Sequence, residues 1–389
     1  MKRIHFIGLG GIGMSGIARI HLELGDAVQG SDVKKGPILE ALEARGVKVF
    51  VGHDASFVKG AEVVVYSSAV PADHIERVEA VRLGIPVVHR ADALAALCAG
   101  KSTIAVSGTH GKTTTTAMIG LILKEAKRDP TVVVGAWVEA LGGNAVLGRG
   151  AEVVIEADES DASFLKFSPA LAVITNIEAE HLDHYPSVRH IEDAFEKFLE
   201  RLVPRGKWFG CLDDPRVAAL LKKRPHGTCY GFSRSQGLWA DNIVECPDGV
   251  RGIAFDAWHG NKKRGRVSLR VPGRHNVLNA LAAIGVAETL GIGFQIVVRA
   301  LGEYAGASRR FDVKFEDGQY LVIDDYAHHP TEIEKTLAAA RSLKKNRIIA
   351  LFQPHRFSRT ELLMKEFAGS FSDAEKLRPN SFIRDSVRL

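Results

Sequence analysis

Residues 103–124 read TIAVSGTHGKTTTTAMIGLILK, and this stretch limits the possible folds more than any other. Thr103 to Ser107 is a short apolar, β-branched run. A turn bracketed by Gly108 and Gly111 follows, then Lys112, a run of threonines and an amphipathic helix pattern. The order strand, loop, helix is the important point. Gly108 and Gly111 let the backbone bend so that several N–H groups point into one concavity. The helix adds the positive end of its dipole, Lys112 adds a point charge, and the Thr113 hydroxyl can ligate Mg²⁺. The stretch predicts a cradle for ATP phosphates, in the short Gly-Thr-His-Gly-Lys-Thr form. The alternative is an ordinary glycine-rich turn with a surface lysine, and the strand and helix on the correct sides argue against it.

A chain of 389 residues is too long for one typical core and predicts two or three domains. The net charge of +5 is modest, and no Lys/Arg block is dense enough for a nucleic-acid face, which leaves small anionic substrates. Cys98, Cys211, Cys229 and Cys246 lack Cys-x-x-Cys spacing, so neither a zinc site nor a disulfide framework is expected, and the reading is a reducing compartment. The opening MKRIHFIGLGGIG has too short an apolar run for a signal peptide. No stretch reaches the roughly 18 apolar residues of a membrane helix. A cytoplasmic protein without a membrane or nucleic-acid partner is expected.

Before the phosphate loop, strand and helix patterns alternate from Arg3 to Cys98 and predict a parallel-sheet domain ending near Gly100. Its first turn, Gly8-Leu-Gly10-Gly11-Ile-Gly13, with Asp32 about 20 positions on, satisfies the dinucleotide fingerprint and read alone suggests NAD. After the loop, Glu152 to Phe164 is a buried-strand run ending in Glu156, Asp158, Glu159 and Asp161. Four carboxylates there predict a Mg²⁺ site at the strand end, the alternative being a solvated acidic turn. His181 follows the next strand, Leu171 to Thr175, and reads as a ligand or positioning group. Leu238 to Val271 turns antiparallel, with turn signals at Pro247–Gly249 and His259–Asn261, and reads as a β-hairpin appendage. Asn276 and Asn279 share one face of a following helix, where they bind a base or cap the helix. Tyr304 to Ser308 reads as a hinge. Beyond it, polar residues again cluster after strands, at Asp324 to Pro330 and Gln353 to Thr360, where open α/β sheets bind ligands. Arginines in the second cluster suit a carboxylate.

The strings GLGGIGMSGIA, GTHGKTTT, EADESDASF, TNIEAEHLDHY, PGRHNVLNALAA, RRFD, DDYAHHPTEI and FQPHRFSRT span nearly all of residues 3–360, and together they resemble the Mur ligase family. The resemblance implies an α/β, three-domain architecture. A Rossmann-like, UDP-sugar-binding N-terminal domain covers 1–100, a central P-loop ATPase-like domain 101–307, and a Rossmann-like, amino-acid-binding C-terminal domain 308–389. It further implies an ADP-forming ligase that uses ATP and Mg²⁺ to join UDP-N-acetylmuramate to L-alanine through an acyl phosphate, in peptidoglycan precursor synthesis. By resemblance, Lys112, Glu156, His181, Arg310 and Asp325 are catalytic, and Thr113, Glu156 and His181 hold metal. Gly108, Thr109, His110, Gly111, Lys112, Thr113, Thr114, Asn276 and Asn279 bind ATP. Gly8, Gly10, Gly11, Gly13 and Ser67 face the UDP-sugar. His328, His355, Arg356 and Arg359 bind the amino acid.

Two rival activities are weighed: joining a tripeptide to the same sugar nucleotide, and NAD-dependent oxidoreduction, which leaves the second phosphate loop idle. The third domain is expected to be incomplete, because little chain follows Ser308 and the ending LRPNSFIRDSVRL matches nothing expected of the family. Exposed sheet edges would then lower stability and activity, or leave a non-catalytic nucleotide-binding remnant.

Overall fold

The computed structural model describes residues 1–181, 184–224, 226–246, 251–343 and 347–379. The N-terminal unit is a five-stranded sheet in the order β3-β2-β1-β4-β5, built from β1 (Arg3–Ile7), β2 (Ala27–Asp32), β3 (Lys48–Val51), β4 (Val63–Tyr66) and β5 (Val87–His89). All pairings are parallel. The crossovers carry α1 (Ile12–Glu23), α2 (Pro37–Glu43) and α3 (Ile75–Arg82), and α4 (Arg90–Cys98) closes the unit. The chain reverses direction across the sheet at β1, so the glycine turn between β1 and α1 lies at the switch point where such sheets bind ligands.

The central unit is a ten-stranded sheet in the order β15-β14-β13-β12-β11-β10-β6-β9-β7-β8. Its core strands are β6 (Ser102–Ser107), β7 (Thr131–Val138), β8 (Gly143–Val146), β9 (Glu152–Glu156), β10 (Leu171–Ile174), β11 (Lys207–Cys211) and β12 (Thr228–Gly231). The interleaved helices are α5 (Lys112–Glu125), α6 (Val188–Glu200) and α7 (Pro215–Lys223). The sheet continues into β13 (Leu238–Glu245), β14 (Ile253–His259) and β15 (Lys262–Leu269), and α8 (Arg274–Thr289) and α9 (Phe294–Glu303) follow.

The segment read as a hairpin appendage is therefore part of the main sheet. β13 pairs in parallel with β12, Tyr230 opposite Leu238 and Gly231 opposite Trp239. Leu238, Ala240, Phe255, Ala257, Val267 and Leu269 are buried in one cluster with Leu281 and Ile284 of α8. A detached hairpin has no such surface to cover its apolar face. The expected turn at Pro247–Gly249 lies outside the described residues, whereas His259–Asn261 does link β14 to β15.

A second core crosses from the N-terminal unit into the central one, joining Phe6, Met14 and Ile17 to Val133, Ala145, Val153 and Phe164. Helix α1 lies against β7 and β8. A Cβ on Gly16 would meet the Ala145 Cβ at 3.3 Å. Asn144 Nδ2 donates to the Ile12 carbonyl at 2.6 Å, and Arg19 Nη1 donates to the Gly142 carbonyl at 2.9 Å.

The third region begins with the antiparallel pair β16 (Asp312–Glu316) and β17 (Leu321–Asp324), followed by α10 (Pro330–Ser342), β18 (Ile349–Phe352), α11 (Phe357–Leu362), α12 (Met364–Gly369) and β19 (Lys376–Pro379). Ile333, Leu337 and Phe367 form its small core. The start of the unexpected ending is structured, because Leu377 to Pro379 lie in β19, which pairs in parallel with β18. Among the described residues β18 pairs with β19 alone, and Leu351 on it is 78% exposed.

Phe164 is fully buried and packs on Phe198 and Phe195 at centroid separations of 4.9 and 5.2 Å. Phe164→Ala should cost about 3–5 kcal/mol through the cavity it leaves. The measurement is the urea midpoint, and an unchanged midpoint would contradict the packing described.

Candidate functional site

The loop between β6 and α5 is held from below by the residues that follow β10. Thr109 N–H donates to the Asn176 carbonyl at 3.1 Å, and His110 N–H donates to Asn176 Oδ1 at 2.8 Å. In return, Thr175 Oγ1 and Asn176 Nδ2 donate to the His110 carbonyl at 2.6 and 3.0 Å. Only glycine fits at two points. A Cβ on Gly108 (φ +128°) would lie 2.1 Å from Thr175 Oγ1, and one on Gly111 (φ +83°) 2.5 Å from Asn279 Oδ1. Lys112 Nζ donates to the carbonyls of Gly108 (2.6 Å) and Thr109 (3.2 Å) and pairs with Glu159 Oε1 at 2.9 Å. Burial opposes the Lys112 charge, but Glu159, Asp158 and Glu156 outweigh it and hold the ammonium protonated.

The four carboxylates, Glu156 at the end of β9 and Asp158, Glu159 and Asp161 beyond it, each have a different hydrogen-bond partner. Asp158 accepts from Arg90 Nη2 at 2.7 Å. Burial would raise its pKa, yet Lys112 and Arg90 bring it to about 2. Glu159 holds Lys112, and Asp161 accepts from Ser68. Glu156 alone meets Thr113, accepting from its Oγ1 at 2.9 Å and from Gly135 N–H at 2.7 Å. That hydroxyl and carboxylate form a hard-oxygen pair that fits Mg²⁺. His181 sits apart from them, with Nε2 3.7 Å from both Glu159 Oε1 and Glu180 Oε2.

Asn276 and Asn279 do not cap α8, whose N-cap is Gly273. Asn276 Nδ2 donates to the Pro272 carbonyl at 2.7 Å, and Asn279 Oδ1 accepts from Thr115 Oγ1 at 3.2 Å. Both line a cleft of about 90 Å³ shared with Gly111, Thr113, Thr114, Arg310 and Asp325. Arg310 Nη1 pairs with Glu332 Oε1 at 3.3 Å, and Asp325 accepts from the N–H groups of Phe311 and Ala327, each at 2.7 Å. The structure thus brings together residues more than 200 positions apart.

In the N-terminal turn, Asp32 is directed inward. Its carboxylate accepts from Gly10 and Val33 N–H, both at 2.8 Å, so it braces the turn rather than presenting itself to a ribose. Gly8 adopts φ +77° and Gly11 forms the N-cap of α1, with Gly13 in its first turn. Ser67 contributes a carbonyl to its own turn, accepting from Val70 N–H at 2.9 Å. Its neighbour Ser68 reaches His89 at 2.9 Å.

The third region docks on the central one through buried charge. Arg359 Nη2 donates to Glu180 Oε1 at 2.6 Å, with both side chains less than 10% exposed. His328 lies 3.7 Å from the same oxygen and 6.2 Å, ring to ring, from His355. Arg356 (φ +66°) precedes α11 and, with Arg359, Glu180 and His181, borders a small cleft of about 30 Å³. Thr331 Oγ1 donates to Glu178 Oε2 at 2.7 Å, and His110 Nδ1 lies 3.1 Å from Glu332 Oε1. Arg359, expected to be open for a substrate carboxylate, is thus already paired with a protein carboxylate. Glu178, Glu180, His329 and Glu332 were not singled out in the sequence. Their signal was alternation after β10, in Glu178-Ala-Glu180, and a carboxylate in the first turn of α10.

Known proteins match this arrangement along the chain. Profiles described as Mur ligase family, catalytic domain; Mur ligase middle domain; and Mur ligase, glutamate ligase domain match residues 3–102, 106–287 and 309–378. The UDP-N-acetylmuramate–L-alanine ligase of Geotalea daltonii is 47% identical over 97% of this chain and 82% of its own length. The chain belongs to the Mur ligase family. That of Pelobacter propionicus is 46% identical with the same coverages. The crystal structure of UDP-N-acetylmuramate–alanine ligase from Thermotoga maritima superposes with TM-score 0.86 at 32% identity, covering 97% of this chain and 85% of that one. A murein peptide ligase from Psychrobacter arcticus gives 0.76 at 25% identity, over 97% and 84%.

Within this Mur ligase, His275 borders the cleft beside Asn276. Burial, with Lys335, Arg310 and His110 nearby, pulls its pKa from 6.5 to about 4. The unfolded chain therefore takes up a proton between those values that the folded chain refuses. The contribution to stability is present above 6.5 and lost as pH falls toward 4. His275→Gln should flatten the fall in Tm over that window, and an unchanged slope would contradict it.

Proposed function

We propose that this Mur ligase joins the lactyl carboxylate of UDP-N-acetylmuramate to the amino group of L-alanine, with ATP cleaved to ADP and phosphate. The observation that carries the reading is the meeting of Thr113, which is bonded to Glu156, with Arg310, Asp325, Asn276 and Asn279 around one cleft, in a chain 47% identical to a ligase of that name.

The reaction runs in two steps. A carboxylate oxygen attacks the γ-phosphorus, the bond to the β-bridging oxygen breaks, and ADP leaves an acyl phosphate. The free amine of L-alanine then attacks the acyl carbon, phosphate departs, and the amine proton goes to solvent. The amides of Gly111 to Thr114 and the Lys112 ammonium bind the phosphates and offset their charge, while the amides of Thr109 and His110 are held by Asn176. Thr113 and Glu156 would hold Mg²⁺ and His181 would serve a second ion, and the metal would supply charge neutralisation at the phosphoryl group. Asn276 and Asn279 contact the adenine, and Arg310 and Asp325 close the nucleotide site from the third region. Gly8, Gly10, Gly11, Gly13 and Ser67 receive the UDP-sugar.

His328, His355, Arg356 and Arg359 receive the amino acid. Arg359 Nε is buried without a hydrogen-bond partner, which supports a carboxylate binding beside Glu180. The 47% identity to a ligase named for L-alanine favours a single amino acid over a tripeptide. The working division is 1–100 for the sugar nucleotide, 101–307 for ATP and 308–389 for the amino acid. Among the described residues no helix is long and apolar enough to cross a membrane. We place the enzyme in the cytoplasm, with the nucleotide substrates.

The test is phosphate release from Mg-ATP by the purified chain. Release should require both UDP-N-acetylmuramate and L-alanine, and Lys112→Ala should lower kcat by at least about 100-fold. Release supported equally by a tripeptide, or independent of any amino acid, would overturn the reading.

A further inference from the structure

His110 of the phosphate loop, Glu178 after β10 and His329 at the start of α10 converge at the seam between the central and third regions. Their donor atoms all lie within 4.8 Å of one another. His110 Nε2 is 3.4 Å and His329 Nδ1 3.5 Å from Glu178 Oε2. The His110 and His329 side chains are 8% and 7% exposed. His110 Nε2 and both ring nitrogens of His329 are buried with no hydrogen-bond partner. Buried imidazole nitrogens are normally satisfied, and two of these, His110 Nε2 and one nitrogen of His329, face Glu178 in a way a single ion could engage.

The distances fit such an ion. They exceed an N–H···O bond, whose usual length is about 2.9 Å. Two ligands bonded at about 2.0–2.1 Å to a tetrahedral ion stand about 3.3–3.4 Å apart. The outer shell is also present, because His110 Nδ1 lies 3.1 Å from Glu332 Oε1. A ligating histidine commonly gives its second N–H to a carboxylate, which turns the other nitrogen's lone pair toward the metal. Among the described residues, the other three-residue cluster, His53, His74 and Glu76, differs. There histidines themselves bond Glu76, His53 at 2.6 Å and His5 at 2.5 Å, whereas Glu178 Oε2 accepts from the Thr331 hydroxyl and stands beyond hydrogen-bond length from both His110 and His329.

We propose that His110, Glu178 and His329 form a binding site for a divalent transition cation of the zinc class. Two imidazoles and one carboxylate suit zinc and disfavour Mg²⁺, which prefers an all-oxygen shell. A cleft of about 750 Å³ bordered by Glu178, His329 and Thr331 provides the entry path and room for a water as fourth ligand. The bound ion ties the phosphate loop to α10, across the seam between the central and third regions. This site is separate from the Thr113–Glu156 pair and does not depend on the ligase reading.

The test uses the full chain after dialysis against a chelator. Zn²⁺ is titrated by calorimetry, and Co²⁺ by visible absorption, in excess Mg²⁺. The wild type should bind one ion more than His329→Gln or Glu178→Gln, show a tetrahedral Co²⁺ spectrum that both variants lose, and gain at least about 3 °C in Tm with Zn²⁺. Glu332→Gln should keep the stoichiometry and bind at least about 10-fold more weakly. His74→Gln should bind as the wild type does. Circular dichroism and metal-free Tm establish that each variant is folded, and Glu332→Gln retains all three ligands if the other two prove unstable. Equal stoichiometry and spectra in the wild type and His329→Gln, binding lost only in His74→Gln, or displacement by Mg²⁺ would each overturn the assignment.

Discussion

The closed ring of hydrogen bonds between the phosphate loop and Thr175–Asn176 is the constraint on which the site depends. The loop turns the amides of Thr109 and His110, and the His110 carbonyl, toward the protein interior. Thr175 Oγ1 and Asn176 Nδ2 satisfy that carbonyl, and Asn176 Oδ1 takes the His110 amide. Because β10 pairs directly with β6, the clamp and the loop leave adjacent strands in fixed register, Ile174 opposite Ser107. The loop's shape is therefore set by the sheet, and Lys112 and Thr113 follow from it.

Charge then determines how the surrounding units meet. Lys112, Arg90 and Arg359 each bind a separate carboxylate, in Glu159, Asp158 and Glu180. The Arg359–Glu180 pair is buried on both sides, and breaking such a pair costs about 3–5 kcal/mol, so it penalises misaligned docking of the third region, whereas the part-exposed Arg90–Asp158 pair contributes less. Arg90 comes from the N-terminal unit and Arg359 from the third region, and both reach acids that leave the carboxyl ends of central strands. The substrate-facing ends of all three units are thereby aimed at one place.

Much of this was legible from local pattern. The strand–glycine–lysine order at residues 103–124, the N-terminal glycine turn and the polar bursts after β9, β10, β17 and β18 mark the ligand side of each sheet, because turn chemistry and periodicity are properties of neighbouring residues. Thr113 and Glu156 meet through the hydrogen bond from the Thr113 hydroxyl. Other features had no local signature. The extension of the central sheet through β13 depends on α8, whose Leu281 and Ile284 cover it. The inward turn of Asp32 depends on the path of the Gly10 backbone.

The sequence by itself determined the α/β class, the position of the phosphate loop and the residue types able to handle phosphate, Mg²⁺ and a carboxylate, since each is written within a few consecutive positions. Only the tertiary structure decided which charges are already paired. It gave the four carboxylates at and beyond the end of β9 four different partners, set Arg359 on Glu180, and placed His110 and His329, 219 positions apart by their numbers, with ring centroids 5.0 Å from one another. Burial and opposition of charge are relations between distant segments, and they come into being only when the sheets bring those segments together.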